Sequence, residues 1–164
     1  MGHREYTGCL NLSGAELAWE RRHTATGQRT IGYVIDMCQF HALNHQIGRA
    51  ATNARVTDWL HRLRHRDIIA GGGDEFCVVI DMEDEAGFRP RLDATLHAAG
   101  LYAYIHRIEL SARRGLFPQM EAAIGVIDAA KERALPPRWM FWRLNARVRR
   151  YEMGPNVFVE GGKA

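Results

Sequence analysis

The chain has 164 residues, 46% of them hydrophobic, which suits one compact domain large enough for a real core. Apolar stretches stay well short of the roughly 20 residues of a membrane span, and the N-terminus lacks a secretory pattern, so no transmembrane segment is expected. The net charge of +3 is too modest to mark an acidic or basic class by itself. Three scattered cysteines, Cys9, Cys38 and Cys77, suit a reducing cytoplasm better than a disulfide framework.

In chain order, Gly14 to Arg22 is a short helix behind a Ser13 cap, and Ile31 to Met37 is an apolar strand after the polar turn at Thr26 and Gly27. Ala42 to His65 has helical spacing, with Val56, Trp59, Leu60 and Leu63 on one side, and Gly48 divides it into two pieces. Ile68-Ile69 and Phe76 to Ile80 form a hairpin around Gly71-Gly72-Gly73-Asp74-Glu75. Ala86 to Ala99 is the next helix and Leu101 to Leu110 the next strand. Gln119 to Ala134 is a helix that Pro136-Pro137 must end, and Val157 to Val159 adds an edge strand. Helices thus alternate with a hairpin and crossover strands, which predicts a mixed α/β sheet with helices packed on it.

The hairpin tip carries the chemistry. A purely structural turn needs one glycine and one Asn or Asp. Three glycines followed by two acids leave bare backbone beside paired carboxylates, which suits metal-bound phosphate: close-approaching amides and hard oxygen ligands. Asp36, read alone, is a strand-end capping acid.

Gly72-Gly73-Asp74-Glu75-Phe76 resembles the signature of the GGDEF family, the diguanylate cyclases that condense two GTP into cyclic di-GMP. Ile35 to Val56 is similar to that family's DxDxFKxINDxxGHxxGDxxL segment, and Thr7 to Asn11 to its opening LTGLPNR. The likeness covers roughly residues 4–81 in order and implies a divergent, stand-alone member with a palm-like fold. It would occupy residues 1–135, followed by a basic aromatic extension over 136–164. The resemblance further implies Asp36, the Met37 carbonyl and Asp74 as ligands of Mg²⁺ or Mn²⁺, with Asp74 and Glu75 in catalysis. Asn44 and Asn53 would read the base, and Gly72, Gly73 and Lys131 would hold the triphosphate. Two such subunits would pair so that each 3′-hydroxyl attacks the other substrate.

Departures bear on that expectation. Asn53 stands where the family has a guanine-reading aspartate, so ATP as well as GTP is an expected substrate. Leu135 stands where an arginine contacts phosphate, and Arg4 and Leu12 stand where an Asp and an Arg usually pair. Arg64-His65-Arg66-Asp67 resembles the RxxD inhibitory site for cyclic dinucleotide product, but with four residues rather than five before the double glycine. Arg64 and Asp67 are its candidate residues, and a charged helix end running into a strand is the alternative. His41 with His45, and His61 with His65, have a spacing that could hold zinc, though no cysteine or acid is spaced to complete such a site. They otherwise read as partly exposed helix residues. Trp139, Met140, Phe141 and Trp142 beside Arg138, Arg143, Arg147, Arg149 and Arg150 fit a basic amphipathic helix that contacts nucleic acid, a membrane or another subunit, or one that covers the sheet end. Three functions follow: a cyclase, a weak GGDEF-like module that binds GTP or cyclic dinucleotide for a partner, and an interaction protein working through its basic tail.

Overall fold

A computed structural model describes residues 9–27, 29–63, 67–133 and 156–159. The elements are α1 (Leu12–Thr26), β1 (Thr30–Met37), α2 (Phe40–Ile47), α3 (Arg49–Leu63), β2 (Ile68–Gly72) and β3 (Glu75–Asp81). A short 3-10 turn leads into α4 (Glu85–Ala98), followed by β4 (Ala103–Leu110), α5 (Leu116–Arg133) and β5 (Val157–Val159). The sheet order is β2-β3-β1-β4-β5. All neighbours are antiparallel except β4 and β5, which run parallel at the edge.

β1 lies at the centre and is buried along its whole length. Alternation therefore sorts its side chains between two cores. Ile31, Tyr33, Ile35 and Met37 pack with Val56, Trp59 and Leu60 of α3 and Phe88, Leu92 and Leu96 of α4. Val34 packs on the other face with Cys77, Val79 and Tyr104, under Trp19 of α1 and Met120, Ala123 and Ile127 of α5. Asp36, two residues on from Val34, points to the α1/α5 side, and that is what brings it within reach of α5.

Several boundaries differ from the sequence expectation: α1 runs to Thr26 rather than Arg22, α2 starts at Phe40 rather than Ala42, and β4 starts at Ala103 rather than Leu101. The α1 cap is Asn11, whose extended backbone lets its side chain accept from Gly14 N at 2.8 Å; Ser13 already lies inside the helix. α5 begins at Leu116 rather than Gln119, because Pro118 sits in the first turn, where a missing N–H costs no helical bond. Gly48 does divide α2 from α3, with φ +89°. The basic aromatic extension lies outside the described residues, except that Val157–Val159 forms the expected edge strand.

On the α4 side of the sheet, Glu85 accepts from the Tyr33 hydroxyl at 2.5 Å and from Arg107 Nη2 at 2.8 Å and Nε. The Arg107 bonds hold the Glu85 carboxyl below its ordinary value of 4.5, against its partial desolvation. A depressed carboxyl contributes stability that is present above its unfolded pKa and is lost as pH falls through the folded one. Glu85→Gln keeps an acceptor for Tyr33 but loses the charge. It should cost about 1 kcal/mol at neutral pH, because Glu85 and Arg107 are both partly exposed. The deficit should shrink toward zero as the pH is lowered below about 4.5, as urea midpoints of both chains at several pH values will register.

Candidate active site

β2 and β3 are joined by the two-residue loop Gly73-Asp74, because Gly72 pairs with Glu75 across the hairpin. Gly73 has φ +63° and Asp74 has no positive φ, the pattern of a II′ turn, whose first central position favours glycine. Gly71 is constrained differently. Its φ is +142°, and a Cβ there would lie 2.3 Å from the Glu75 carbonyl oxygen. It is therefore a steric requirement of the hairpin, while the bare backbone expected at the tip belongs to Gly72 and Gly73.

The register then assembles the acids. Asp36 of β1 lies directly opposite Glu75 of β3, and directly opposite residues of an antiparallel pair share a sheet face. Met37 N donates to the Asp74 carbonyl at 2.8 Å, which ties the hairpin tip to the end of β1. Carboxylate oxygens of Asp36, Asp74 and Glu75 consequently lie within 4.8 Å of one another, with Asp36 buried and the two turn acids exposed. On the other flank of Asp36, Tyr104 of β4 is its register partner.

Lys131, in the last turn of α5, reaches this cluster. Its Nζ bonds Asp36 Oδ2 at 2.5 Å and lies 5.7 Å from the Tyr104 ring centroid. The ammonium expected to steady a triphosphate is thus the counterion of the buried acid. Burial pushes the Asp36 carboxyl above its ordinary range, with Asp74 and Asp128 adding to the rise and Lys131 opposing it. Glu75, although its surface is exposed, is raised first by partial desolvation of its carboxyl, then by Asp36, Asp74 and Asp128. For Lys131 burial acts downward, but the bond and charge of Asp36 outweigh it and hold the ammonium above its usual value. Such a concentration of anionic oxygen around one cation can accept a divalent ion or the proton of a bound hydroxyl.

The other candidate residues are spread around this cluster. Asn44 lies on α2, half-buried, and its Oδ1 is buried with no hydrogen-bond partner among the described residues. Asn53 is half-buried on α3. Arg64 lies outside the described residues, as does Leu135. Asp67 is described, and it accepts from Arg91 Nη2 of α4 at 2.8 Å. Arg91 and Asp128 are the residues that sequence reasoning missed. Asp128 precedes Lys131 by three residues on one helix face, a spacing that could have flagged it; no local signal ties Arg91 to Asp67.

No family model matches the chain, and no curated protein is similar to it in sequence. Solved structures are similar in fold. A microbial GGDEF domain studied with bis-(3′,5′)-cyclic di-GMP is 24% identical, with TM-score 0.61 over 76% of this chain and 86% of its own. A sensory box/GGDEF family protein from Caulobacter crescentus is 23% identical, with TM-score 0.58 over 76% and 96%. Diguanylate cyclase SiaD from Pseudomonas aeruginosa, solved with its activator SiaC, is 15% identical, with TM-score 0.62 over 93% of this chain and 59% of its own. The mixed sheet, its flanking helices and the glycine-acid hairpin give this chain the fold of GGDEF domains.

Proposed function

We propose that the chain is a divergent GGDEF-type nucleotidyl cyclase that joins two GTP into a cyclic dinucleotide such as cyclic di-GMP, with Mg²⁺ or Mn²⁺, across a homodimer in the cytoplasm. The observation that carries this reading is the convergence of the Asp36, Asp74 and Glu75 carboxylates, within 4.8 Å of one another, at the hairpin end of the sheet. Hard carboxylate oxygens fit a hard divalent ion, and these three residues would hold it. When bound, that ion supplies a Lewis acid for the attacking 3′-hydroxyl and the α-phosphate. Glu75 stands beside Asp36 and Asp74, where it would either join them in holding the ion or accept the hydroxyl proton. Lys131 is the counterion of Asp36, and its ammonium would be available to a triphosphate where a bound cation balanced the acids instead. The unpartnered Asn44 Oδ1 is an acceptor suited to guanine's N–H edge, since leaving it buried and unpaired costs about 1–3 kcal/mol.

The second reading is a catalytically weak module that binds GTP or cyclic dinucleotide and signals through a partner. It is favoured by the Lys131–Asp36 bond and by the amide at position 53. Product analysis by mass spectrometry after incubation with Mg²⁺ and GTP, ATP or both separates the two. Cyclic dinucleotide from GTP supports the cyclase, and retained nucleotide binding without product supports the module.

The same assay tests base choice. An ionised Asp only accepts, whereas the Asn53 amide can accept or donate and so can meet either purine. Charged hydrogen bonds exceed neutral ones by about 1 kcal/mol, so Asn53→Asp should raise the preference for GTP over ATP by up to about tenfold. An unchanged preference would mean that position 53 does not read the base.

A further inference from the structure

His41 and His45 of α2 are both exposed, and their Nε2 atoms lie 3.2 Å apart. The rings meet edge to face, with centroids 4.6 Å apart at 83°. Four-residue spacing places the two side chains on one helical face. At metal–nitrogen distances of about 2.0–2.1 Å, two imidazole nitrogens on one ion are separated by about 2.9 Å at a right angle and about 3.4 Å at the tetrahedral angle. The observed separation falls between these limits. We propose that His41 and His45 form a binding site for a divalent transition ion of the zinc, nickel or copper class, with water filling its remaining positions.

The chemistry separates this site from the acid cluster. Imidazole nitrogen selects zinc, nickel and copper, whereas carboxylate oxygen suits magnesium and manganese. One helix with two histidines at this spacing is also the half-site that metal-binding helices use, so no change in the fold is needed. The competing arrangement is a hydrogen bond between the rings, in which one Nε2 keeps its proton. For metal binding that ring shifts its proton to Nδ1, which leaves both Nε2 lone pairs free for the ion with each imidazole still neutral.

The test is calorimetric titration of Zn²⁺ into the full chain with Mg²⁺ in excess, so that the carboxylates are already engaged. The expected result is one zinc per chain, weakened about tenfold or more in His41→Ala and in His45→Ala, because half of the protein's ligands are gone. The double variant should lose the site, while Asp74→Ala should keep it. Alanine is the best helix former, and circular dichroism checks that α2 persists in the variants. With Cu²⁺ as probe, the electron paramagnetic spectrum should carry nitrogen splitting from two imidazoles, and from one in each single variant. Absence of zinc uptake by the wild type, or uptake unchanged in the double variant, overturns the proposal.

Discussion

On the proposed cyclase reading, Asp74→Ala should lower turnover by about a hundredfold or more and abolish nucleotide-dependent Mn²⁺ binding, while the chain should melt at the wild-type temperature or slightly above it. The two effects separate because Asp74 serves the fold through its backbone. Its carbonyl accepts from Met37 N, and alanine keeps that bond. Its side chain is exposed and raises the carboxyls of both Asp36 and Glu75, so its removal relieves like-charge repulsion. Chemistry, in contrast, loses one of three converging oxygen donors. Product formation, Mn²⁺ binding and a thermal melt on the same preparation decide the matter. Undiminished turnover in a folded Asp74→Ala chain removes the proposed role of the acid cluster.

The acids were legible in the sequence because two are contiguous with a glycine turn and the third ends an apolar strand. Strand alternation through Val34 then fixes which face Asp36 uses, so its meeting with Glu75 follows from period and register. The order of helices and strands was readable for the same reason: hydrophobic periodicity is local. Lys131 is a different matter, since it meets Asp36 across 95 residues and only the packing of α5 on β1 and β4 decides whether its ammonium finds an acid or a phosphate. Asp67 with Arg91 is another such pair, joined across 24 residues by the way α4 lies on the sheet. Asn11 and Ser13 are both good caps by residue type; extended backbone at Asn11 chose between them. Glycine chemistry was the hardest to read. Three adjacent glycines look equivalent as letters, and they separate only once each backbone angle and each neighbour is known.

That separation yields a test of the hairpin itself. At Gly71 an added Cβ meets the Glu75 carbonyl oxygen at 2.3 Å and the Phe76 Cα at 2.9 Å, both backbone atoms, in a conformation with φ +142°. Neither neighbour can rotate away, so Gly71→Ala must shift the strand that carries Glu75. A cost of about 2–4 kcal/mol is expected, lowering Tm by roughly 5–15 °C for a domain of this size. Gly72 has no positive φ, so alanine there avoids the strained backbone angle of Gly71 and should cost less stability than Gly71→Ala. If the hairpin backbone cradles phosphate, Gly72→Ala should nonetheless weaken GTP binding, because the methyl group stands where the phosphate must approach. Melting curves and GTP titrations on both variants distinguish strain from recognition. A Gly71→Ala chain as stable as wild type would mean that β2 and β3 pair in another register. Wild-type GTP affinity in Gly72→Ala would mean that the phosphates are held by Lys131 and the bound metal alone.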